Sequence, residues 1–138
     1  MNPQELKERT KQFALRVMHL VDALPNTTKG RAVASQLVRS RTSVAANYRA
    51  ACRGRSQAEF ISKIGVVEEE ADETALWLEL IVADKLLPEK KTAPLLKEAN
   101  ELVAIMAASY ISASRSKREA SSVNSKSAIS NQKLEISS

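Results

Sequence analysis

Residues 56–81 read S-Q-A-E-F-I-S-K-I-G-V-V-E-E-E-A-D-E-T-A-L-W-L-E-L-I. Ser56 followed three residues later by Glu59 is a capping box, in which the serine caps a free backbone N–H and the glutamate reaches back to the cap residue. Phe60, Ile64, Val67, Ala71, Thr74, Leu78 and Ile81 then recur at helical spacing. That spacing puts all seven on one face of a helix. Trp77 and Leu80 widen the stripe near its end, and Leu87-Pro88 terminates it. A helix this long with one apolar face needs further helices to cover it.

Working outward, three more such stretches appear. Asn2-Pro3 starts the first, with Asn2 as N-cap and Pro3 in the first turn, where its missing N–H costs nothing. Phe13, Val17, Leu20 and Leu24 mark its buried face, and Pro25-Asn26 ends it. The second opens after Thr27-Thr28, carries Val33, Leu37, Val44 and Tyr48 inward with Ser40 on the same stripe, and stops at Gly54. The last is expected to be capped by Thr92 with Pro94 in its first turn, and to bury Leu95, Ala99, Leu102, Ile105 or Met106, and Tyr110. From Ser112 the pattern dissolves: ten serines fall in the final 27 residues. The expectation is an all-α, antiparallel, up-down-up-down four-helix bundle over residues 1–111, followed by a disordered serine-rich tail over 112–138.

Composition agrees. The 138 residues are rich in Ala, Leu, Val and Ile, and poor in Gly, Pro and aromatics. The single cysteine, Cys52, excludes an intramolecular disulfide framework. The N-terminus carries no apolar signal region and no apolar run reaches the length of a membrane span, so the chain reads as cytoplasmic, with no membrane partner.

Charge is unevenly placed. Between Ala23 and Ala58 there is no acidic residue, yet Lys29, Arg31, Arg39, Arg41, Arg49, Arg53 and Arg55 all fall there. From Glu59 to Asp84 the sign reverses, with Glu59, Glu68, Glu69, Glu70, Asp72, Glu73, Glu79 and Asp84 against Lys63 alone. Either the two helices neutralise each other inside the bundle, or the basic one stays free for a polyanion. Arg39, Ser43 and Asn47, spaced four apart, form a polar row that suits hydrogen bonds to Glu70, Glu73 or Thr74. Such a network fixes bundle register and performs no chemistry. The remaining cations, Lys29, Arg31, Arg41, Arg49, Arg53 and Arg55, are the candidate phosphate contacts, with a solvated face paired loosely to acids as the plainer alternative. With few aromatics available for stacking, nucleic-acid backbone is the expected target.

Catalysis finds no support in the motifs. His19 has no glutamate three residues before it, so the Glu-x-x-His pairs of a carboxylate di-metal bundle are missing, and no metal or cofactor is expected. There is no glycine-rich phosphate loop and no nucleophile elbow. Cys52 reads as a small apolar residue, and Trp77 as core or as an interface anchor.

The run from Arg39 to Arg53, together with Glu59-Phe60, Glu68-Glu69-Glu70-Ala71-Asp72-Glu73-Thr74 and Trp77-Leu78-Glu79-Leu80, resembles the 23S ribosomal RNA intervening-sequence protein family. Matching positions include Arg39, Ser43, Asn47, Arg49, Ser56, Phe60, Glu70, Glu73 and Thr74. Many members carry a glutamate near Ala50, which this chain lacks. The resemblance covers the four helices and leaves out the tail. It implies a left-handed antiparallel bundle assembled as a ring-like homopentamer, with nucleic acid, ribosomal RNA among the candidates, as partner. Distant relatives of similar fold serve as accessory proteins, which leaves a protein–protein assembly module without nucleic-acid binding as the alternative.

Overall fold

The computed structural model describes residues 1–137, with side chains through Ser125. Its helices are α1 (Pro3–Asp22), α2 (Thr28–Cys52), α3 (Gln57–Ala83) and α4 (Glu89–Ser137). Connections as short as 23–27, 53–56 and 84–88 force each helix to turn back along the one before. Each packs against its sequence neighbours, and α4 closes the ring against α1; the α1–α4 seam is the thinnest of the four. The result is the expected up-down-up-down bundle.

The core follows the predicted stripes. Phe13 and Val17 from α1, Leu37 and Val44 from α2, Ile64, Val67, Leu78 and Ile81 from α3, and Leu102 and Met106 from α4 are all sealed from solvent. Each large side chain of this kind contributes about 1.5–3 kcal/mol through burial. Of the two candidates on α4, Met106 is buried and Ile105 only partly. Tyr110 stays 40% exposed, so the core closes one turn earlier than expected.

The helix ends hold several corrections. Asn2 caps α1 as expected, and Glu5 adds the reciprocal bond of a full capping box. At α3, Ser56 accepts from the Glu59 N–H at 3.1 Å, but Glu59 reaches past the cap to the Arg55 N–H at 3.0 Å. Helix α2 stops where expected, with Gly54 directly after the C-cap Arg53, although this glycine does not take the left-handed conformation. Helix α3 stops at Ala83, before Leu87-Pro88, because Lys85 adopts φ 55°. The Leu86 N–H then donates to the Ile81 carbonyl at 3.0 Å and the Lys85 N–H to the Val82 carbonyl at 3.2 Å, which is a Schellman ending with lysine where glycine is usual. Helix α4 begins at Glu89, so Thr92 lies inside the first turn, buried, and donates to the Pro88 carbonyl at 3.4 Å. Pro94 is therefore inside the helix, although still close enough to its start that few backbone bonds are lost.

Gly30 has a clear steric reason. A Cβ there would stand 1.9 Å from the Pro25 carbonyl oxygen, because the α1–α2 connection folds down onto the first turn of α2. Beyond Met106 helix α4 runs on. Residues 112–125 were expected to be disordered, and their backbone is helical instead, with nearly every side chain in solvent. The helix propagates from a packed nucleus, so the serines need not start a helix, only avoid breaking one. The part of that expectation falling on residues 126–138 lies outside the residues whose side chains are described.

Candidate nucleic-acid interface

Helix α2 has two polar edges, and they meet opposite surroundings. On the edge toward α3, the Arg39 guanidinium donates to both Glu70, at 3.3 Å, and Glu73. These hydrogen bonds hold the Glu73 carboxyl below its ordinary range, against a smaller opposing effect of burial, and raise the arginine. Ser43 and Asn47 do not reach across. The Asn47 side-chain amide donates to the Ser43 carbonyl and hydroxyl, both at 2.9 Å, so the pair is satisfied within its own helix. Thr74 meets Ser40: the two buried hydroxyls lie 2.9 Å apart, and the Thr74 hydroxyl is 2.8 Å from the Glu70 carbonyl. The polar row is thus a set of short separate contacts.

The edge toward α1 is different. Arg41 is half-buried, with its Nη1 3.5 Å from the Ala14 carbonyl and its Nε sealed from water without a partner. One and two turns beyond the intervening Ala45, Arg49 and Arg53 face α1, where Lys7 and Lys11 come up beside them. The four cations and Gln4 line a groove of about 380 Å³, and among the described residues Glu8 is the one acid in its wall. Glu8 already accepts from Gln12 at 2.9 Å. Among the described residues, no carboxylate lies within ion-pair distance of Lys7, Lys11, Arg49 or Arg53. Four cations held together without ion-pair partners, against a single acid, attract a polyanion and its phosphates.

The six sequence candidates therefore do not form one cluster. Lys29 sits at the start of α2 and pairs with Asp84 at 2.8 Å. Arg31 donates to the Asn26 side chain at 3.0 Å. Twenty helical residues, about 30 Å, separate Lys29 from Arg49. Arg55 is exposed in the α2–α3 connection, adjacent to the groove through Arg53. Lys7 and Lys11 escaped the sequence reading because they alternate with Glu5 and Glu8; only the packing of α1 on α2 selects which charges share a face.

A second clamp was also missed. Arg9 bridges the thin α1–α4 seam, with Nε to Glu98 at 2.9 Å and Nη2 to Glu98 and Glu101 at 2.6 Å each. The Arg9 hydrogen bond is the main reason the Glu98 carboxyl lies below its ordinary range. A fork that holds two carboxylates secures the thinnest of the four seams. On the α3–α4 side the charge is inverted, where Glu68, Glu69 and Asp72 border a hollow of about 470 Å³ beside Gly65 and Tyr110. Among the described residues no group of three or more His, Cys, Asp or Glu is arranged to hold a metal ion, and no helix is long and apolar enough to cross a membrane. Cys52 is half-buried against Tyr48, whose phenol is pushed well above its ordinary range, first by burial and then by the cysteine.

Residues 4–108 match the family model described as 23S rRNA-intervening sequence protein. The chain belongs to that family. A crystal structure of a protein with unknown function from the S23 ribosomal protein family, from Bacteroides thetaiotaomicron, superposes with a TM-score of 0.70 at 30% identity. The alignment covers 75% of this chain and 96% of that one. None of the curated proteins matches the chain at a significant level. The family region contains the whole of both α2 edges and ends just after Met106, the last core residue of α4, so the exposed continuation of that helix lies outside it.

Proposed function

We propose that this protein is a non-catalytic, cytoplasmic, oligomeric binding protein that holds nucleic acid by its backbone in the groove between α1 and α2. The observation that carries the reading is the set of Lys7, Lys11, Arg49 and Arg53, gathered from two helices and free of ion pairs among the described residues. Among the described residues the groove walls present cations and no aromatic ring, which suits phosphates over bases. The family name supports RNA, and the ribosomal RNA in particular, as the partner. A homopentamer, as in the resembling proteins, would set five grooves in one particle, and repetition turns a weak patch into tight binding.

One observation favours the alternative of a protein–protein assembly module. At the opposite end of the bundle, Val33, Trp77, Leu80 and Leu86 floor an apolar hollow of about 470 Å³, with the Lys29–Asp84 pair at its rim. Leu76 and Val38 are also exposed, by 50% and 40%. Such a patch suits contact with protein, whether another copy or a different chain.

The test is titration of the purified protein with structured RNA and with duplex DNA across a salt series, with the particle mass recorded on the same sample. Affinity that falls steeply with salt in a particle five times the chain mass supports the proposal. No binding at low salt rejects it in favour of the assembly module.

A further inference from the structure

The continuation of α4 past the core builds a second concavity at the same end of the bundle as the groove. Gln57, at the start of α3, donates to the Ala113 carbonyl at 3.0 Å and ties the two helices together there. Next to this tie a cleft of about 630 Å³ opens between Ile61 of α3 and one side of α4, lined by Tyr110, Ile111, Ser114, Lys117 and Arg118. Its composition differs from that of the groove. An aromatic ring and two isoleucines form one part, and two cations lie two turns further along the same helix.

Tyr110 packs against α3 on one side although it is exposed. Its Cε2 and Cδ2 lie 3.5 and 3.8 Å from the point where a Cβ on Gly65 would stand, so the ring rests on the bare backbone of α3. A ring already held in place loses little freedom when a second flat group stacks on it. Ile111 adds 56% exposed apolar surface beside it. An apolar flat surface followed by paired cations matches the two halves of a nucleotide, base and phosphate.

We infer that this cleft takes an unpaired nucleotide of the bound nucleic acid, its base against Tyr110 and Ile111 and its flanking phosphate on Lys117 and Arg118. The inference rests on the groove reading above and adds to it a preference for unpaired over fully paired strands. Tyr110, Ile111, Lys117 and Arg118 lie beyond the family region, which ends at residue 108, while Ile61 and Gly65 lie inside it, so the preference depends on this chain's own extension. A base inside a duplex is stacked on both faces and cannot enter. A looped or single-stranded base can, and stacking of this kind is sequence-tolerant.

The experiment uses the full chain and an oligoribonucleotide of about twelve residues carrying 2-aminopurine at its centre, either single-stranded or annealed to its complement. The single strand is expected to bind more tightly than the duplex at equal salt, with 2-aminopurine emission quenched at saturation. Tyr110→Leu keeps the apolar bulk and removes the ring; it should weaken single-strand binding about tenfold and leave duplex binding unchanged. Tyr110→Trp should retain both affinity and quenching. Single-strand binding with unchanged emission, or with Tyr110→Leu equal to the parent, overturns the cleft while the groove stands. Failure of both strands to bind at low salt overturns the groove, and the cleft with it.

Discussion

The two edges of α2 carry the same kind of residue and end in opposite states. Arg39 faces α3 and is taken up by Glu70 and Glu73. Arg49 and Arg53 face α1, where Lys7 and Lys11 line the same groove. The basic helix is therefore neither fully neutralised nor fully free. Ten residues along one helix are enough to turn an arginine from a structural fork into a potential phosphate contact, because 100° of rotation per residue decides which neighbour it meets.

The largest expected effect breaks the free edge. Reversing Lys11, Arg49 and Arg53 together to Glu should lower RNA affinity at least about 100-fold near 0.1 M salt, measured by fluorescence anisotropy. Helicity should be unchanged, since all three side chains are exposed. Unaltered affinity would move the interface away from the α1–α2 groove.

The neutral edge is probed through stability. Thr74→Val leaves the buried Ser40 hydroxyl without its main partner and should cost about 1 kcal/mol in urea unfolding. Adding Ser40→Ala removes the orphaned group, and the double variant should be no less stable than the single one. A double variant with a strictly additive loss would mean that the two hydroxyls do not share a bond.

Acid should act on the same edge. The folded-state carboxyl of Glu73 titrates below its ordinary range because Arg39 bonds its charged form. Its contribution is therefore fully present above the unfolded value, about 4.3, and is lost as pH falls through that value and the lower folded one. Glu98, held by Arg9, behaves likewise on the other seam. Unfolding midpoints recorded from pH 7 down to pH 3 should fall below about pH 4, and Arg39→Gln should make the fall shallower. An acid limb identical in the two proteins would contradict the assignment.

The smallest effect is expected at Asn47→Leu. Asn47 bonds only within its own helix, to Ser43. Thermal unfolding should shift by no more than about 0.5 kcal/mol. A loss several times larger would show a cross-helix role that the geometry does not contain.

The bundle itself was legible because its signals are local. Asn2, Thr27 and Ser56 each cap the helix that follows, and the apolar stripes of α1, α2 and α3 need nothing beyond their own periodicity. The end of α3 was not legible: Lys85 takes a conformation that lysine disfavours, and only the Leu86 and Ile81 pairing around it shows why. Thr92 and Pro94 look like a cap and a first-turn proline, yet Glu89 already continues from Pro88, so α4 starts four residues earlier than a Thr92 cap implies. Arg39 with Glu70 and Glu73 could be inferred, since a strong charge contrast between consecutive antiparallel helices leaves few alternatives. The partners of Ser43, Asn47 and Thr74 could not, because each had an equally good option within its own helix or one residue over. The groove was only half visible. Arg49 and Arg53 stand out in an acid-free stretch, whereas Lys7 and Lys11 are selected from a mixed helix by the angle at which α1 meets α2.

The most direct test of the contrast between the edges is the salt dependence of RNA binding, compared between the parent, Arg53→Gln and Arg39→Gln. The slope of log affinity against log salt should fall by about one for Arg53→Gln and stay unchanged for Arg39→Gln. Equal slopes in all three, or a reduction confined to Arg39→Gln, would contradict the division of α2 into a neutralised edge and a free one.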